Sequence, residues 1–367
     1  NKVVAYDLPS LVSPTLKWER IQTLDIGGDF GFFNNELNIS FDWYQRTTKD
    51  MLAPGQTMPD VLGAGAPKIN AGTLRTRGWE LSIDWRHHFN EVNVYANASI
   101  GDFKTVITKW DNDSQLLNEN YSGKVYGDIW GFETDRYFTK DDFNADGSYK
   151  EGIASQKKLE QDGFVYGPGD IKFKDLNNDK EINGGEGTVK DHGDLKVIGN
   201  TTPRYQYGFR LGGEWKGIDI DMFFQGVGKC DAWTQSAFVM PMMRGADAIY
   251  ANQANYWTDE NPDPNADFPR MWPGNAGKGT VSVLDLGNHN FYPQSKYLVN
   301  MAYLRFKNLT IGYTLPKDWT RKVYMDKVRV YFSANNICEL INKSNAPVDP
   351  EVNTSEAIAN GGSSDYG

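Results

Sequence analysis

Apolar and polar side chains alternate with a period of two residues along several segments of this chain. In residues 37–43, Leu, Ile, Phe and Trp occupy the odd positions, and Asn, Ser and Asp occupy the even ones. The same alternation recurs in residues 79–85, 92–100 and 328–334. Successive side chains of a β-strand point to opposite faces of its sheet, so each segment is predicted to be a strand with one apolar and one polar face.

The connections between these strands are predicted to be of two kinds. Short hairpin turns are expected at residues 33–35, 88–91 and 216–217. Much longer connections are expected at residues 53–67, 109–123, 139–202, 230–296 and 338–367. Short turns on one side and long loops on the other are typical of an outer-membrane β-barrel, whereas a soluble sandwich has loops of mixed length at both ends. The pattern therefore favours an all-β protein, an antiparallel transmembrane β-barrel.

The parity of the strands adds one expectation. If all short turns lie on the same side, an even number of strands must separate the turn at Glu91 from the turn at Lys216. The alternation indicates a strand that starts at Val92, one near residues 126–138 and one at residues 203–215. One strand between about residues 109 and 138 is therefore either missing from this count or irregular.

Composition is consistent with a barrel but does not require one. Aromatic residues make up 13% of the chain, with 11 Trp, 19 Tyr and 19 Phe. Lipid-facing barrels place such rings at both membrane boundaries, although an aromatic-rich soluble β protein that binds sugars would have a similar composition. The net charge of −10 argues against nucleic acid as a partner, because binding to nucleic acid depends on a basic surface.

The N-terminal residues lack the features of a targeting segment. Residues 1–6 contain no charged n-region, apolar core or cleavage site, so no signal peptide is expected in this chain. The sequence also contains no apolar run of the roughly 18–20 residues that a membrane helix needs. The chain is therefore expected to be either cytosolic or a part of a longer protein.

Residues 175–186 have the spacing of a twelve-residue calcium loop. Oxygen-bearing side chains occupy positions 1, 3, 5, 9 and 12, and position 7 can offer its carbonyl. The predicted ligands of a structural Ca²⁺ ion are Asp175, Asn177, Asp179, Glu181, Asn183 and Glu186. Position 6, where this loop usually has Gly, is Lys180, which makes the sharp turn less favourable. A solvated turn without an ion is the alternative.

Aromatic residues in the long loop 230–296 are candidates for contact with a ligand. They lie among Asn, Asp, Pro and Gly residues, and flat rings beside amide and carboxylate groups suit stacking against sugar rings. The predicted substrate-binding residues are Trp233, Tyr256, Trp257, Trp272 and Tyr292. A large ordered loop that packs on itself would have the same composition. No nucleophile, metalloprotease or phosphate-loop motif is present, and no acid/base pair stands out, so an enzyme is not expected.

Several longer stretches of the sequence resemble one known family. Residues 168–179, with Pro-Gly-Asp-Ile-Lys-Phe-Lys-Asp-Leu-Asn-Asn-Asp, are similar to the signature of the SusC/RagA-like TonB-dependent transporters of Bacteroidetes. Residues 303–316 (Tyr-Leu-Arg-Phe-Lys-Asn-Leu-Thr-Ile-Gly-Tyr-Thr-Leu-Pro) and residues 257–262 (Trp-Thr-Asp-Glu-Asn-Pro) match further stretches of that family. The similarity covers nearly the whole chain.

The resemblance implies a 22-stranded barrel in the outer membrane of a Gram-negative bacterium. Residues 1–367 would be its C-terminal portion, roughly the last ten strands without the closing strand, which would follow Gly367. The plug domain and the segment that contacts TonB would precede this chain. The long loops 139–202 and 230–296, with the acidic loop, would be extracellular.

The resemblance also implies a function, the import of oligosaccharides or peptides with energy from TonB. The partners would be the TonB complex, a SusD-like surface lipoprotein and membrane lipid. The alternative is a soluble, calcium-dependent carbohydrate-binding module. The two hypotheses differ in the surroundings of the apolar residues of segment 37–43, which face lipid in the first and a protein core in the second.

Overall fold

The computed structural model describes residues 13–351, apart from residues 15, 55–66, 162, 235, 243–248, 273–288 and 345. Its strands are β1 (Arg20–Phe32), β2 (Leu37–Pro54), β3 (Lys68–Phe89), β4 (Val92–Trp110), β5 (Asp128–Phe132), β6 (Thr134–Tyr137), β7 (Ile171–Phe173), β8 (Leu195–Asn200), β9 (Arg204–Trp215), β10 (Ile218–Lys229), β11 (Asp231–Ala232), β12 (Val299–Asn300), β13 (Tyr303–Thr314) and β14 (Arg329–Asn342). Its helical segments are the single turn α1 (Lys317–Thr320) and the 3₁₀ turns Lys140–Asp142, Lys157–Leu159, Ala251–Gln253 and Arg321–Val323.

Eight of the strands form the main sheet, in the order β1-β2-β3-β4-β9-β10-β13-β14. The first five strands of this order are paired antiparallel. The strands predicted at residues 37–43, 79–85 and 92–100 lie in this sheet, and the one predicted at 328–334 does so from Arg329. Strand β14 extends to Asn342, so the connection predicted at residues 338–367 starts later than expected. Within the described residues the sheet ends on β1 and β14 and is not closed. The predicted closing strand and the N-terminal residues 1–6 lie outside the described residues.

The short turns lie where the sequence predicts them. Asn34 and Asn35 connect β1 to β2 with positive φ angles of 56° and 68°, and Asn90 connects β3 to β4 with φ 51°. Lys216 and Gly217 form the two-residue turn between β9 and β10, with φ 49° and 86°. Positive φ at both central residues gives a turn whose twist matches that of the paired strands, which keeps the hairpin tight.

Among the described residues, no further strand of the main sheet lies between residues 109 and 138; the pairing there is irregular, with an isolated bridge between Val106 and Val125. Strand β4 pairs directly with β9, from Val92 opposite Trp215 to Gly101 opposite Gln206. The segment near residues 126–138 forms β5 and β6, which pair with β8 and β7 in two separate small sheets. With this segment removed from the count, two strands separate the turns at Glu91 and Lys216, and the parity is even.

The chain divides into two compact units. The first, here called the sheet unit, contains residues 1–126, 205–223 and 308–334. The second, here called the loop unit, contains residues 127–204, 224–307 and 335–367. Among the described residues, none of the helices is both long and apolar enough to cross a membrane.

The loop unit has a hydrophobic core of its own. Its fully buried side chains include Phe138, Phe164, Ile171, Phe173 and Met240, all less than 2% exposed. Aromatic rings dominate the packing; for example, the centroids of Phe132 and Phe173 are 4.8 Å apart in a stacked arrangement. Long loops that pack around a shared aromatic core hold defined positions, which a candidate binding surface requires.

Candidate functional site

The register of the main sheet collects apolar residues on one face. Phe30 lies opposite Ile39, Ile39 opposite Ile83, Ile83 opposite Ala98, and Ala98 opposite Phe209. A second row, two residues along, runs through Phe32, Leu37, Trp85, Ala96 and Leu211. Directly paired residues point to the same face, so these two rows, here called the apolar band, form one continuous surface across five strands.

The opposite face of the same strands is polar. Asp29 lies opposite Ser40, and the row continues through Ser82, Ser99 and Gly208. The neighbouring row consists of Gly31, Asn38, Asp84, Asn97 and Arg210. A cavity of about 600 Å³ lies along this polar face, and its lining includes Asn97, Arg210, Asp221 and Thr310.

The apolar band is not covered by protein in the described residues. Phe30 is 56% exposed and Leu211 is 39% exposed, and no residue of the band belongs to the buried core cluster. Leaving a large apolar side chain in water rather than burying it costs roughly 1.5–3 kcal/mol. Phe30, Phe32 and Leu211 are exposed, and the other large side chains of the band are half-buried. Together they favour an apolar environment, and a soluble module with these strands around a core would bury them fully.

The acidic loop 175–186 forms a tight turn. Both carboxylate oxygens of Asp175 accept backbone hydrogen bonds, from Asn178 N at 2.6 Å and from Lys180 N at 2.9 Å. Asn177 Nδ2 donates to Asp179 Oδ2 at 3.0 Å, so these two predicted ligands are in contact. Lys180 adopts φ +67°, the left-handed conformation in which Gly is favoured at this position.

The remaining predicted calcium ligands are used differently. Glu181 forms an ion pair with Lys158 at 2.7 Å, and Asn183 Oδ1 accepts from Gly185 N at 2.8 Å. Glu186 is exposed. In the part of the chain that the structure describes, no three His, Cys, Asp or Glu side chains form a group that could hold a metal ion. Calcium binding stays a prediction.

The predicted substrate-binding aromatic residues are held within the loop unit. Trp257 is a core residue at 4% exposure, and Trp233, Trp272 and Tyr292 are partly buried against the same core. Trp272 Nε1 donates to Asp170 at 2.8 Å, and Tyr292 Oη donates to Leu159 O at 3.3 Å. Each of these rings therefore has a packing role, and their contact with a substrate stays a prediction.

Tyr256, the fifth predicted ring, is half-buried beside the bridge that it forms with Phe268. The buried Nε1–H of Trp233 has no hydrogen-bond partner among the described residues.

Two features of the loop unit are not evident from the sequence. The first is the buried carboxylate of Asp170, which contacts the side chains of Arg270, Trp272 and Asn290. The second is a cavity of about 600 Å³ whose lining includes Lys296 and Lys343. Both depend on contacts across more than 40 residues of sequence, which no local spacing reveals. The only sequence signal for Asp170 is its place in the Pro-Gly-Asp stretch that resembles the transporter family.

A sheet of hairpins with one apolar face, one polar face and long ordered loops defines the wall of a β-barrel. The family model described as "TonB dependent receptor-like, beta-barrel" matches residues 5–337, and the chain belongs to this family.

Known proteins resemble the chain over most of its length. It is 29% identical to TonB-dependent receptor P3 of Formosa agariphila, over 94% of the chain and 32% of that receptor. It is 24% identical to TonB-dependent receptor SusC of Bacteroides thetaiotaomicron, over 94% of the chain and 31% of SusC. The chain therefore spans about a third of the length of the curated relatives that it matches.

Solved structures have the same fold. The structure of the RagAB peptide importer in the "open-open" state is similar to this chain, with a TM-score of 0.65 and 20% identity. The match covers 93% of this chain and 34% of the importer chain. A structure of the RagAB peptide transporter is also similar, with a TM-score of 0.61 and 22% identity. The match covers 90% of this chain and 32% of the transporter chain. At this level of identity the likeness shows the fold alone.

Proposed function

We propose that this chain is part of the barrel of an outer-membrane, TonB-dependent importer of oligosaccharides or peptides. The observation that carries the proposal is the apolar band, because a continuous apolar surface across five strands suits contact with lipid. The polar face, with its cavity and its Ser, Asn, Asp and Arg side chains, suits a water-filled interior. The membership of the family supports the same function.

The test uses the full-length protein in its own bacterium. Uptake of labelled oligosaccharides and labelled peptides is measured in the parent strain, in a deletion strain and in a strain without functional TonB. If the protein is an importer, uptake of one cargo class is lost in both mutant strains, and the full-length gene restores it in the deletion strain. Uptake that persists without TonB would contradict an energised importer.

The soluble alternative has its own outcome. A carbohydrate-binding module would stay in solution without detergent, and its aromatic residues would not contact lipid. The importer is expected to fractionate with the outer membrane and to need detergent for extraction. The exposure of the apolar band argues for the importer.

We propose a SusD-like surface lipoprotein as partner on the side of the long loops. The ordered core of the loop unit supports this proposal, since a folded loop region can present a constant surface to a second protein. An affinity tag on the full-length protein should co-purify a lipoprotein from native membranes. Absence of any stoichiometric lipoprotein under mild extraction would contradict the partnership.

We also propose that residues 175–186 bind a structural Ca²⁺ ion. The support is the spacing of the oxygen ligands, the contact of Asn177 with Asp179, and the turn backbone that binds the Asp175 carboxylate. Terbium luminescence of the full-length protein, competed by Ca²⁺, measures binding. Asp175→Asn should weaken it and Lys180→Gly should strengthen it, because Gly adopts the positive φ more readily.

A matched control for the calcium experiment lies in a neighbouring turn. Asp146 accepts hydrogen bonds from Ser148, as the acidic residues of the calcium loop do from their own backbone. Asp146→Asn should leave the terbium signal unchanged. A signal insensitive to Asp175→Asn, or equally sensitive to both substitutions, would contradict a site at residues 175–186.

A further inference from the structure

The loop unit contains a cavity that combines cationic, aromatic and amide groups. Its volume is about 600 Å³, within the usual range of roughly 300–1,000 Å³ for small-molecule sites. Its walls include the rings of Phe238 and Phe268 and the amide side chains of Asn252 and Asn300. Lys296 and Lys343 add two ammonium groups. None of the aromatic residues predicted from the sequence lines this cavity.

Lys296 lies against aromatic rings at the edge of the cavity. Its Nζ lies 5.0 Å from the ring centroid of Tyr137 and 5.8 Å from that of Tyr297, and 3.5 Å from the carbonyl oxygen of Ala266. Burial lowers the pKa of Lys296, and the carboxylate of Asp267 opposes that shift. Among the described residues Lys296 forms no ion pair, so its ammonium group can meet an anionic ligand.

Lys343 supplies a second ammonium group to the same cavity, and both lysines are exposed residues. Its backbone is fixed by the hydrogen bond from Lys343 N to Ala302 O, at 3.1 Å. No carboxylate in the described part of the chain forms an ion pair with its side chain. The cations of β13, unlike the two lysines of the cavity, form ion pairs. Arg305 pairs with Glu339, Asp349 and Glu351, and Lys307 pairs with Glu351.

The one carboxylate in the wall is already held by the protein. Asp267 Oδ2 accepts a hydrogen bond from Asn255 Nδ2 at 3.0 Å. The two ammonium groups therefore exceed the single carboxylate, in a chain whose net charge is −10. Asn300 Oδ1 accepts from Ala302 N, so the Nδ2 group of Asn300 is the one that can donate to a ligand.

We propose that this cavity is a subsite for a carboxylate group of the imported cargo, which Lys296 and Lys343 bind while Phe238 and Phe268 contact its apolar surface. The inference rests on the proposed import function, and it narrows the cargo to molecules that carry a carboxylate group. Two sources supply the same chemistry, a uronic-acid sugar in an oligosaccharide and a carboxylate of a peptide. Charge-assisted hydrogen bonds make the ammonium groups selective for either over a neutral analogue.

The test is calorimetric titration of the full-length protein, purified in detergent with whatever partner remains bound. The probes are tetragalacturonate, maltotetraose, penta-alanine with a free C-terminal carboxylate and penta-alanine with an amidated C-terminus. We expect at least one carboxylate-bearing probe to bind, and its neutral counterpart to bind about tenfold more weakly or not at all. Which of the two acidic probes binds identifies the source of the carboxylate.

The variants assign the binding to the cavity. Lys343→Glu changes an exposed side chain, so it should fold normally and weaken the acidic probe about tenfold or more. Lys296→Met removes the charge beside the rings but keeps the aliphatic stem, and Lys296→Arg should restore binding in part. Lys150→Met, at an exposed lysine of the same unit that does not line the cavity, should bind like the unmodified protein.

Two results would overturn the subsite. One is equal or absent binding of the acidic and neutral probes, and the other is unchanged affinity in both Lys343→Glu and Lys296→Met. TonB-dependent uptake separates this failure from a failure of the import function. An importer without the subsite keeps TonB-dependent uptake of its cargo in Lys343→Glu, whereas a protein that is no importer shows no TonB dependence for any cargo.

Discussion

At the scale of the residue, Asp170 links three separate segments of the loop unit. Its carboxylate accepts hydrogen bonds from Gly167 N at 2.9 Å, Trp272 Nε1 at 2.8 Å and Asn290 Nδ2 at 2.8 Å, and it forms an ion pair with Arg270. Burial raises the pKa of Asp170, and the Arg270 guanidinium and the other donors oppose that shift. The carboxylate is fully enclosed, so its partners compensate for the lost water.

Replacing Asp170 tests how far the loop unit depends on this carboxylate. Asp170→Asn leaves the guanidinium of Arg270 without a countercharge and sets an amide N–H against neighbouring donors. We expect a loss of about 3–5 kcal/mol in the stability of the loop unit, measured by denaturant titration of tryptophan fluorescence in the full-length protein. The control is Asp135→Asn at the more exposed ion pair with Lys172, where about 0–1 kcal/mol is expected. Similar losses for both variants would contradict the special role of Asp170.

Asp142 is expected to make the loop unit sensitive to acid. Burial alone would raise the pKa of Asp142, but Arg136 and Thr139 lower it overall. Since the folded pKa lies below the unfolded one, this contribution to stability is complete above the unfolded pKa, about 4, and is lost as pH falls through the folded pKa.

Denaturant midpoints of the full-length protein between pH 6 and pH 2.5 measure this effect. We expect the midpoint to fall below about pH 4, and Asp142→Asn, which does not titrate, to be less stable at pH 6 and to show a flatter profile. The same slope in both proteins would assign the acid sensitivity to other carboxylates.

At the scale of the element, the hairpin is the repeated unit of the sheet unit. Each strand presents its apolar and polar residues to opposite faces, and the tight turns fix the register that aligns the rows. A slip by one residue would move Ile83 to the polar face and Ser82 to the apolar band. The two adjacent positions therefore provide a direct comparison of the two faces.

We expect Ile83→Lys and Ser82→Lys to differ strongly. A lysine in the apolar band is expected to cost about 2–4 kcal/mol near the middle of the bilayer, whereas the polar face should accept it at little cost. The measurement is the stability of the full-length barrel in lipid vesicles, with outer-membrane abundance as a second readout. Equal effects of the two substitutions would argue that the band does not contact lipid.

The turn between β9 and β10 provides the second element-scale prediction. Gly217 has φ +86°, and a Cβ atom there would lie 2.6 Å from the carbonyl oxygen of Thr314. Gly217→Val should therefore destabilise the hairpin by about 1–3 kcal/mol. Lys216→Asn, at φ 49°, should be neutral or stabilising because Asn tolerates positive φ. Refolding yield into detergent micelles distinguishes them, and equal yields would contradict the turn geometry.

The strands of the sheet could be predicted from sequence, whereas the loop unit could not. Strict alternation over seven or more residues specifies a strand and its two faces, and Asn or Gly at the turns specifies the hairpins. In β5 and β6 the runs are only five and four residues long, and alternation over so few positions is the same for a barrel strand and for a strand in a folded loop. Trp257 shows the same limit at the candidate site. A Trp in a long loop suits contact with a ligand as well as it suits the core packing that the structure shows.

At the scale of the whole molecule, the main sheet ends on β1 and β14 within the described residues. Each end strand has backbone N–H and C=O groups that a closed barrel would pair with further strands. In lipid such unpaired groups each cost several kcal/mol, so a stable wall requires closure by the rest of the full-length protein.

Closure can be tested by comparing two proteins. Residues 20–342 expressed alone are expected to aggregate or to bind other chains through β1 and β14. The full-length protein is expected to give a monomeric barrel in detergent that migrates differently on gels before and after boiling. A monodisperse, protease-resistant particle from residues 20–342 would show that closure is not required.

The direct pairing of β4 with β9 has a consequence for how such proteins diverge. Residues 111–203 connect the neighbouring strands β4 and β9. Beyond the bridge between Val106 and Val125, their length and sequence are free of the register that the wall imposes. Recombination between related genes at these two borders would replace this region and leave the hydrogen-bonded frame intact. Related barrels can in this way differ in this region while keeping the same wall.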